Sequence, residues 1–293
     1  MRPIRVALFA PGIKERVMTK ALESGADAVL FDLEDSVPVA SKAEARALVA
    51  QAIDGAAGRA APALTVRVNA AATGMQDDDL AAIVRPGLEA VFMPKVETTA
   101  EVQHAAALLD RLESERGMKS DAVEIVLMIE SARGVYRCYD LINASPRVAT
   151  TCIGGARDGD LQTDLGCGWS LEGIELMYAR SKILLDTRAA GKAWPLDGVF
   201  SDLEDEAGLI QDTRLSARLG YVGRTVIHPR QIAPVREAYA VAEADVQYYQ
   251  RVVSEFEAVE KTGTAAITID GRLVDYAMYQ RAKRVLELAK LDR

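Results

Sequence analysis

Histidine and aromatic side chains are scarce in this chain, and the scarcity restricts both its chemistry and its core. Two histidines occur in 293 residues, and Phe, Trp and Tyr together make up 5%. Hydrophobic residues still reach 49%, so the interior must be aliphatic, built from Val, Leu, Ile and many Ala. The three cysteines, Cys138, Cys152 and Cys167, are odd in number and form no C-x-x-C pair. That argues against a disulfide framework or a structural zinc site and predicts buried, reduced thiols. Positive charge is in deficit: 35 Lys and Arg against 43 Asp and Glu leave a net charge of −8. General nucleic-acid binding is disfavoured, although a local basic patch for phosphates remains compatible. No apolar window reaches transmembrane length, and the run near the amino terminus is too short for a signal peptide. A soluble, cytoplasmic protein with no membrane partner is expected.

What is present is a repeated alternation. Short aliphatic runs fall at Val6–Ala10, Ala28–Asp32, Leu64–Val68, Ala90–Met93, Glu124–Ile129, Ala149–Ile153, Gly198–Ser201 and Arg224–Ile227. They are hydrophobic on both faces, as strands of a helix-covered parallel sheet should be. Between them lie helical signals. Ser41-Lys-Ala-Glu44 reads as a capping box, with Gly55 as the stop. Val102, Ala106 and Leu109 share a face before Gly117, and Ile174, Met177, Ser181 and Leu184 line the longest helix before Gly191. Eight strand–helix alternations predict an α/β fold, a closed (β/α)8 TIM barrel over residues 1–232. An open doubly wound sheet is the runner-up, but it lacks its glycine fingerprint after the first strand. Residues 233–293 change pattern: two helical stretches, a tight turn at Asp270-Gly271, and a last helix with Met278, Ala282, Val285 and Ala289 on one face. This predicts a C-terminal helical extension, or lid.

In a barrel of this kind chemistry collects where strands end. Strand one ends in Pro11-Gly12 with Lys14 and Arg16 beyond, strand two in Asp32-Leu-Glu34-Asp35, strand three carries Arg67 and Asn69, and strand four ends in Pro94-Lys95. The second half of the chain adds Glu130-Ser131, Arg157 with Asp158 and Asp160, Asp202, and His228-Pro229. Acids and bases placed so consistently at the first positions after the strands point to an active site on one rim. Carboxylates with few histidines suit a hard cation such as Mg²⁺. Arg67 can grip a carboxylate with two prongs, or pair structurally with the acids beside it. Lys95 is a candidate Schiff-base lysine. Glu34 and Asp35 can equally cap the turn that follows them. Asp158 and Asp160 do not open an EF-hand, because the loop lacks Gly at position six and Glu at position twelve. His104 is read as a helix-surface residue, and His228 as architectural.

These residues carry a resemblance. The segments Leu8–Gly12, Phe31–Val37, Val66–Asn69, Met93–Glu97, Met128–Gly134, Gly159–Gly166, Ala179–Ser181, Arg188–Gly191, Ile227–Ile232 and Asp270–Asp275 resemble, in order, the citrate lyase beta-subunit-like group of the HpcH/HpaI aldolase family. The resemblance implies a Mg²⁺-dependent lyase that breaks or forms a carbon–carbon bond in a coenzyme A thioester of a citrate-, malate- or citramalate-like acid. It implies that Arg67 binds a substrate carboxylate and that Glu130 binds Mg²⁺ and, through it, substrate. A second metal aspartate follows the sixth strand in a Gly-x-Glu-Asp-Leu context, which here reads Gly155-Ala-Arg-Asp-Gly-Asp-Leu161. Counting forward selects Asp158; counting back from Gly166 selects Asp160, favoured because Leu161 and the spacing match. The family also implies trimers or hexamers, some of which borrow a C-terminal acid from a neighbour; that acid maps to Asp275, the expected base. Two rival readings use the same residues: a metal-dependent aldolase on free 2-oxo acids, which coenzyme A would not affect, and a noncatalytic barrel subunit that binds an acyl-carrier partner.

Overall fold

Eight parallel strands close into a barrel in the computed structural model of the chain, which describes residues 2–58, 62–260 and 266–292. The chain runs β1 (Val6–Pro11), α1 (Glu15–Leu22), β2 (Ala28–Asp32), α2 (Lys42–Ala56), β3 (Ala63–Arg67), α3 (Gln76–Ile83), β4 (Leu88–Met93) and α4 (Thr99–Glu115). It continues with β5 (Glu124–Ile129), α5 (Ala132–Asn143), β6 (Val148–Ile153), α6 (Asp160–Leu165), α7 (Met177–Ala189), β7 (Leu196–Asp197), α8 (Glu206–Leu219), β8 (Gly223–Val226) and α9 (Ile232–Tyr239). Closure is explicit in the register: Leu8 of β1 lies beside Val29 of β2 on one side and Val226 of β8 on the other. The expected (β/α)8 barrel is therefore the fold. Among the described residues no helix is long and apolar enough to cross a membrane.

The barrel fills with one face of its strands. Ala7, Ala28, Leu30, Ala63, Ala90, Phe92, Val126, Met128, Cys152 and Leu196 form a single buried cluster. Small alanines near the starts of several strands leave room for Leu30, Phe92 and Met128. Residues two apart share a face, so the next inward position of β2 is Asp32, that of β3 after Thr65 is Arg67, and the one after Met128 is Glu130. The same register that builds the core thus carries charged groups to the C-terminal end.

Four local expectations need correction. The seventh strand is Leu196–Asp197, not Gly198–Ser201; a buried aspartate inside the strand, neutralised by Arg180 and Arg224, breaks the apolar pattern. Ser41 forms no capping box, because Val39–Ser41 is already a 3-10 turn and its hydroxyl caps nothing. The box forms instead at Thr98 and Glu101, at the head of α4. The buried face of α7 is Ala179, Arg180, Ile183, Asp186 and Thr187, while Ile174 is 74% exposed, so charged residues inward inverted the expected face. The longest helix is in the C-terminal unit.

The chain divides into two compact units, Met1–Ala238 and Tyr239–Arg293. The second holds α10 (Glu243–Glu260), β9 (Ala266–Ile269), β10 (Arg272–Asp275) and α11 (Tyr276–Ala289). Its antiparallel hairpin turns at Asp270 and Gly271, with φ of 50° and 74°, the paired positive values that a tight two-residue turn requires. Phe256 stacks on Tyr279 at 4.9 Å over Val252, Ile269, Val274 and Ala282. Ala282 and Ala289 are buried as expected, but Tyr279 rather than Met278 leads that face.

Candidate active site at the barrel mouth

A cavity of about 500 Å³ opens among the strand ends, lined by Phe9, Asp32, Arg67, Met128, Glu130 and Asp160 with residues of the neighbouring loops. Its electrostatics centre on Arg67. The guanidinium grips Asp32 with two prongs, Nε to Oδ1 at 2.7 Å and Nη2 to Oδ2 at 2.8 Å. Its Nη1 lies 3.0 Å from Glu34 Oε2 and 3.3 Å from Asp35 Oδ2, and its carbon is 4.9 Å from the centre of the Phe9 ring. Burial alone would raise the Asp32 pKa, but the Arg67 hydrogen bonds and charge hold it below the usual carboxylate value. Arg67 keeps its proton for the reciprocal reason. Glu34 differs: burial pushes its pKa up, and its buried Oε2 has the Arg67 ion pair but no hydrogen bond.

Glu130, at the end of β5, is almost wholly buried. Burial first, and then the Glu34 charge, push its pKa up to about 7. Its Oε2 accepts a 3.0 Å hydrogen bond from the backbone N–H of Lys95. Space for it comes from Gly154, where a Cβ would stand 2.7 Å from Glu130 Oε1. The Lys95 ammonium lies 3.0 Å from Glu34 Oε1, 3.4 Å from Asp35 Oδ1 and 3.4 Å from Asp160 Oδ2. Burial would lower its pKa, yet Glu34 and the other acids raise it. A Schiff-base lysine must attack as the neutral amine, and these three acids favour the ammonium form of Lys95 instead.

The loop after β6 separates its two aspartates. Asp160 is the first residue of α6 and faces the cavity. Asp158 sits at φ 57° with its side chain 86% exposed, outside the cavity lining and within ion-pair range of Arg157. Further along α6, Asp164 Oδ2 accepts a 2.6 Å hydrogen bond from Ala132 N, at the head of α5. One side chain thereby ties the helix that begins with Asp160 to the backbone two residues beyond Glu130. The donors available here are hard carboxylate oxygens. Among the described residues no three of His, Cys, Asp or Glu close into a metal cage. Two carboxylates with open positions, one of them raised in pKa by burial and then by neighbouring acids, suit a hard divalent cation.

The HpcH/HpaI aldolase/citrate lyase description matches residues 5–229, and that of a carbon–carbon bond lyase of the TIM-barrel fold matches residues 184–291. The chain belongs to the HpcH/HpaI aldolase/citrate lyase family. It is 35% identical to the citrate lyase subunit beta of Leuconostoc mesenteroides subsp. cremoris over 98% of this chain and 94% of that one. It is 31% identical to an L-malyl-CoA/beta-methylmalyl-CoA lyase of Cereibacter sphaeroides over 99% and 96% of the two chains. The crystal structure of CitE from Mycobacterium tuberculosis in complex with magnesium, acetoacetate and coenzyme A superposes with a TM-score of 0.74, at 28% identity and 98% coverage of each chain. The first two of these relatives are lyases by name.

In this HpcH/HpaI barrel, then, Arg67, Glu130 and Asp160 come together at one cavity with Asp32, Asp35 and, through ion pairs, Glu34 and Lys95. Other candidates stand apart. Lys14 and Arg16 are exposed around the start of α1 and outside the cavity lining. Asp202 is exposed and accepts from Glu204 N. Asn69 is buried against Asp79 at 2.6 Å. Ser131 caps α5, and His228 Nδ1 accepts from Arg230 N, an architectural role as expected. His104 is exposed beside Asp77. Asp275 belongs to the C-terminal unit, where its carboxylate caps α11 by accepting from Met278 N at 3.1 Å. Cys138 and Cys152 are buried free thiols, and Cys167 is half-buried. Sequence reasoning missed Asp32 as the anchor of Arg67. It also missed the network of Arg180, Asp197, Asp212 and Arg224, in which Asp212 receives Arg180 Nη1 and Arg224 Nη2, each at 2.8 Å. Arg224 also donates to Gly198 O at 2.8 Å. The signal was available: charged residues within short, otherwise apolar strands must be paired.

Proposed function

We propose that this chain is a Mg²⁺-dependent lyase that cleaves, or in reverse forms, a carbon–carbon bond in a 3-hydroxyacyl coenzyme A thioester of the citryl, malyl or citramalyl type. Products are a 2-oxo acid and an acyl thioester. The observation that carries the reading is the cavity itself: an arginine held in place by Asp32 stands beside a buried, proton-hungry Glu130 and a cavity-facing Asp160. Glu130 and Asp160 would hold the ion. When bound, Mg²⁺ supplies polarisation of the substrate oxygens and neutralises charge that develops on them. Arg67 receives the substrate carboxylate at Nη1, in exchange for its contacts with Glu34 and Asp35, and stabilises negative charge as the bond breaks. Asp275, contributed by a neighbouring protomer of a homotrimer or hexamer, takes the proton from the substrate hydroxyl. The carbon–carbon bonding pair then passes to the thioester fragment, which leaves as an enolate and is protonated to the acyl thioester. Free, buried thiols at Cys138 and Cys152 suit a reducing, cytoplasmic setting.

Incubating the protein with Mg²⁺ and a panel of 3-hydroxyacyl-CoA thioesters should release a 2-oxo acid from at least one, measured by coupled reduction. Release from free hydroxy acids, with no effect of the coenzyme A moiety, would replace this reading with the free-acid aldolase. The two loop aspartates give a finer test. Asp160→Asn should weaken Mg²⁺ binding by about tenfold or more, whereas Asp158→Asn should change it less than about twofold, since its carboxylate points to solvent. The reverse order in a calorimetric titration would transfer the ligand role to Asp158.

A further inference from the structure

One residue touches both carboxylates assigned to the metal. Lys95 donates its backbone N–H to Glu130 Oε2 at 3.0 Å and sets its ammonium 3.4 Å from Asp160 Oδ2. The same ammonium lies 3.0 Å from Glu34 Oε1 and 3.4 Å from Asp35 Oδ1. Its backbone is left-handed, with φ of 53°, a conformation a lysine adopts only where its surroundings impose it. That turn directly follows Met93 and Pro94 and aims the N–H at Glu130.

We propose that Lys95 is a tethered cation that stands in for the divalent ion in the metal-free site and gives up its carboxylates when Mg²⁺ enters, so that it sets the affinity of the site. The inference rests on the assignment of Glu130 and Asp160 as the ligands. Two cations face the acids here, and only one can leave. Arg67 is locked to Asp32 by two parallel hydrogen bonds. The lysine reaches its acids from a flexible four-carbon stem, through single contacts, with its side chain 32% exposed to water. Without a positive charge at this point Glu34, Asp35, Asp160 and Glu130 would repel one another. With Mg²⁺ added, an ammonium 3.4 Å from a ligand oxygen would repel the ion. Both effects make the ammonium and the ion alternatives.

The test uses the full-length protein stripped of metal, with Lys95→Met and Lys95→Gln as variants that keep the stem length or its polarity. Each should bind Mg²⁺ about tenfold tighter than the parent by calorimetry. Each should also melt at a lower temperature without metal, and gain more in Tm when Mg²⁺ is added. Folded variants that bind Mg²⁺ no tighter, or more weakly, than a parent that does bind it overturn the role of Lys95 and leave the metal assignment standing. A parent that binds no Mg²⁺ overturns the metal assignment itself, and this inference with it.

Discussion

Glu130→Gln should lower Mg²⁺-dependent turnover by more than about 100-fold while the barrel stays folded. The magnitude follows from the position: removing groups that merely orient a metal ligand typically costs 10- to 100-fold, and this change removes the charged oxygen itself. The fold should survive because Gln fills the volume that Gly154 leaves open and its carbonyl can still accept from Lys95 N. The direction of the stability change is a sharper check. The Glu130 pKa stands at about 7, above the ordinary 4.5, so the folded, metal-free chain holds this proton more tightly than the unfolded chain does. That contribution is fully present below about 4.5 and is lost as pH rises through about 7. Gln cannot ionise. The metal-free variant should therefore melt above the metal-free parent at pH 8, with the gap narrowing as pH falls below 7. In the parent, Mg²⁺ must displace that proton, so affinity should fall toward tenfold per unit below about pH 7; the variant should show no such slope. Unchanged metal affinity in a folded variant would take Glu130 out of the metal site.

Much of this was legible in the sequence, because parity and periodicity are properties of a chain before it folds. Seven of eight apolar runs lie on strands, and of the groups at or past their ends Asp32, Arg67, Glu130 and Asp160 line the cavity. The failures share a cause. β7 was misplaced and α7 rotated because Asp197, Arg180 and Asp186 are charged and buried, and a pattern that equates charge with solvent puts such residues outside. Asp186 pairs locally with Lys182, but Arg180 and Asp197 are held inward by partners far along the chain, Asp212 and Arg224, which no local window contains. The same holds at the site. Arg67 was found from its place at the end of β3, but its clamp on Asp32 is a register fact, since the two residues lie side by side across the β2–β3 ladder. The protonation of Lys95 likewise depends on three acids brought from two other loops. Strand ends can be read from a sequence, whereas the charges that meet across them depend on closure of the barrel.

Asp275→Asn should lower turnover by about 10²–10⁴-fold, the usual contribution of a general base, while Mg²⁺ still binds. The substitution is informative because of what Asp275 does within its own unit. Its carboxylate caps α11 through Met278 N. Asparagine caps a helix about as well as aspartate, while alanine costs about 1 kcal/mol. If capping is its whole task, Asp275→Asn should be nearly silent and Asp275→Ala should lower the melting temperature with little effect on turnover per folded molecule. If Asp275 is the base, both variants lose turnover and only the alanine variant also loses stability. Whether the base serves its own barrel or a neighbour's is decided by complementation. Arg67→Ala subunits lack the carboxylate grip but keep Asp275; Asp275→Asn subunits lack the base but keep Arg67. Unfolded together and reassembled, the two should recover part of the activity that each lacks alone, because some sites then combine an intact Arg67 from one protomer with an intact Asp275 from the next. Mixed oligomers verified by mass that recover nothing would confine Asp275 to its own chain or take it out of catalysis. In the first case Arg67 and Asp275 would come from a single protomer in every working site.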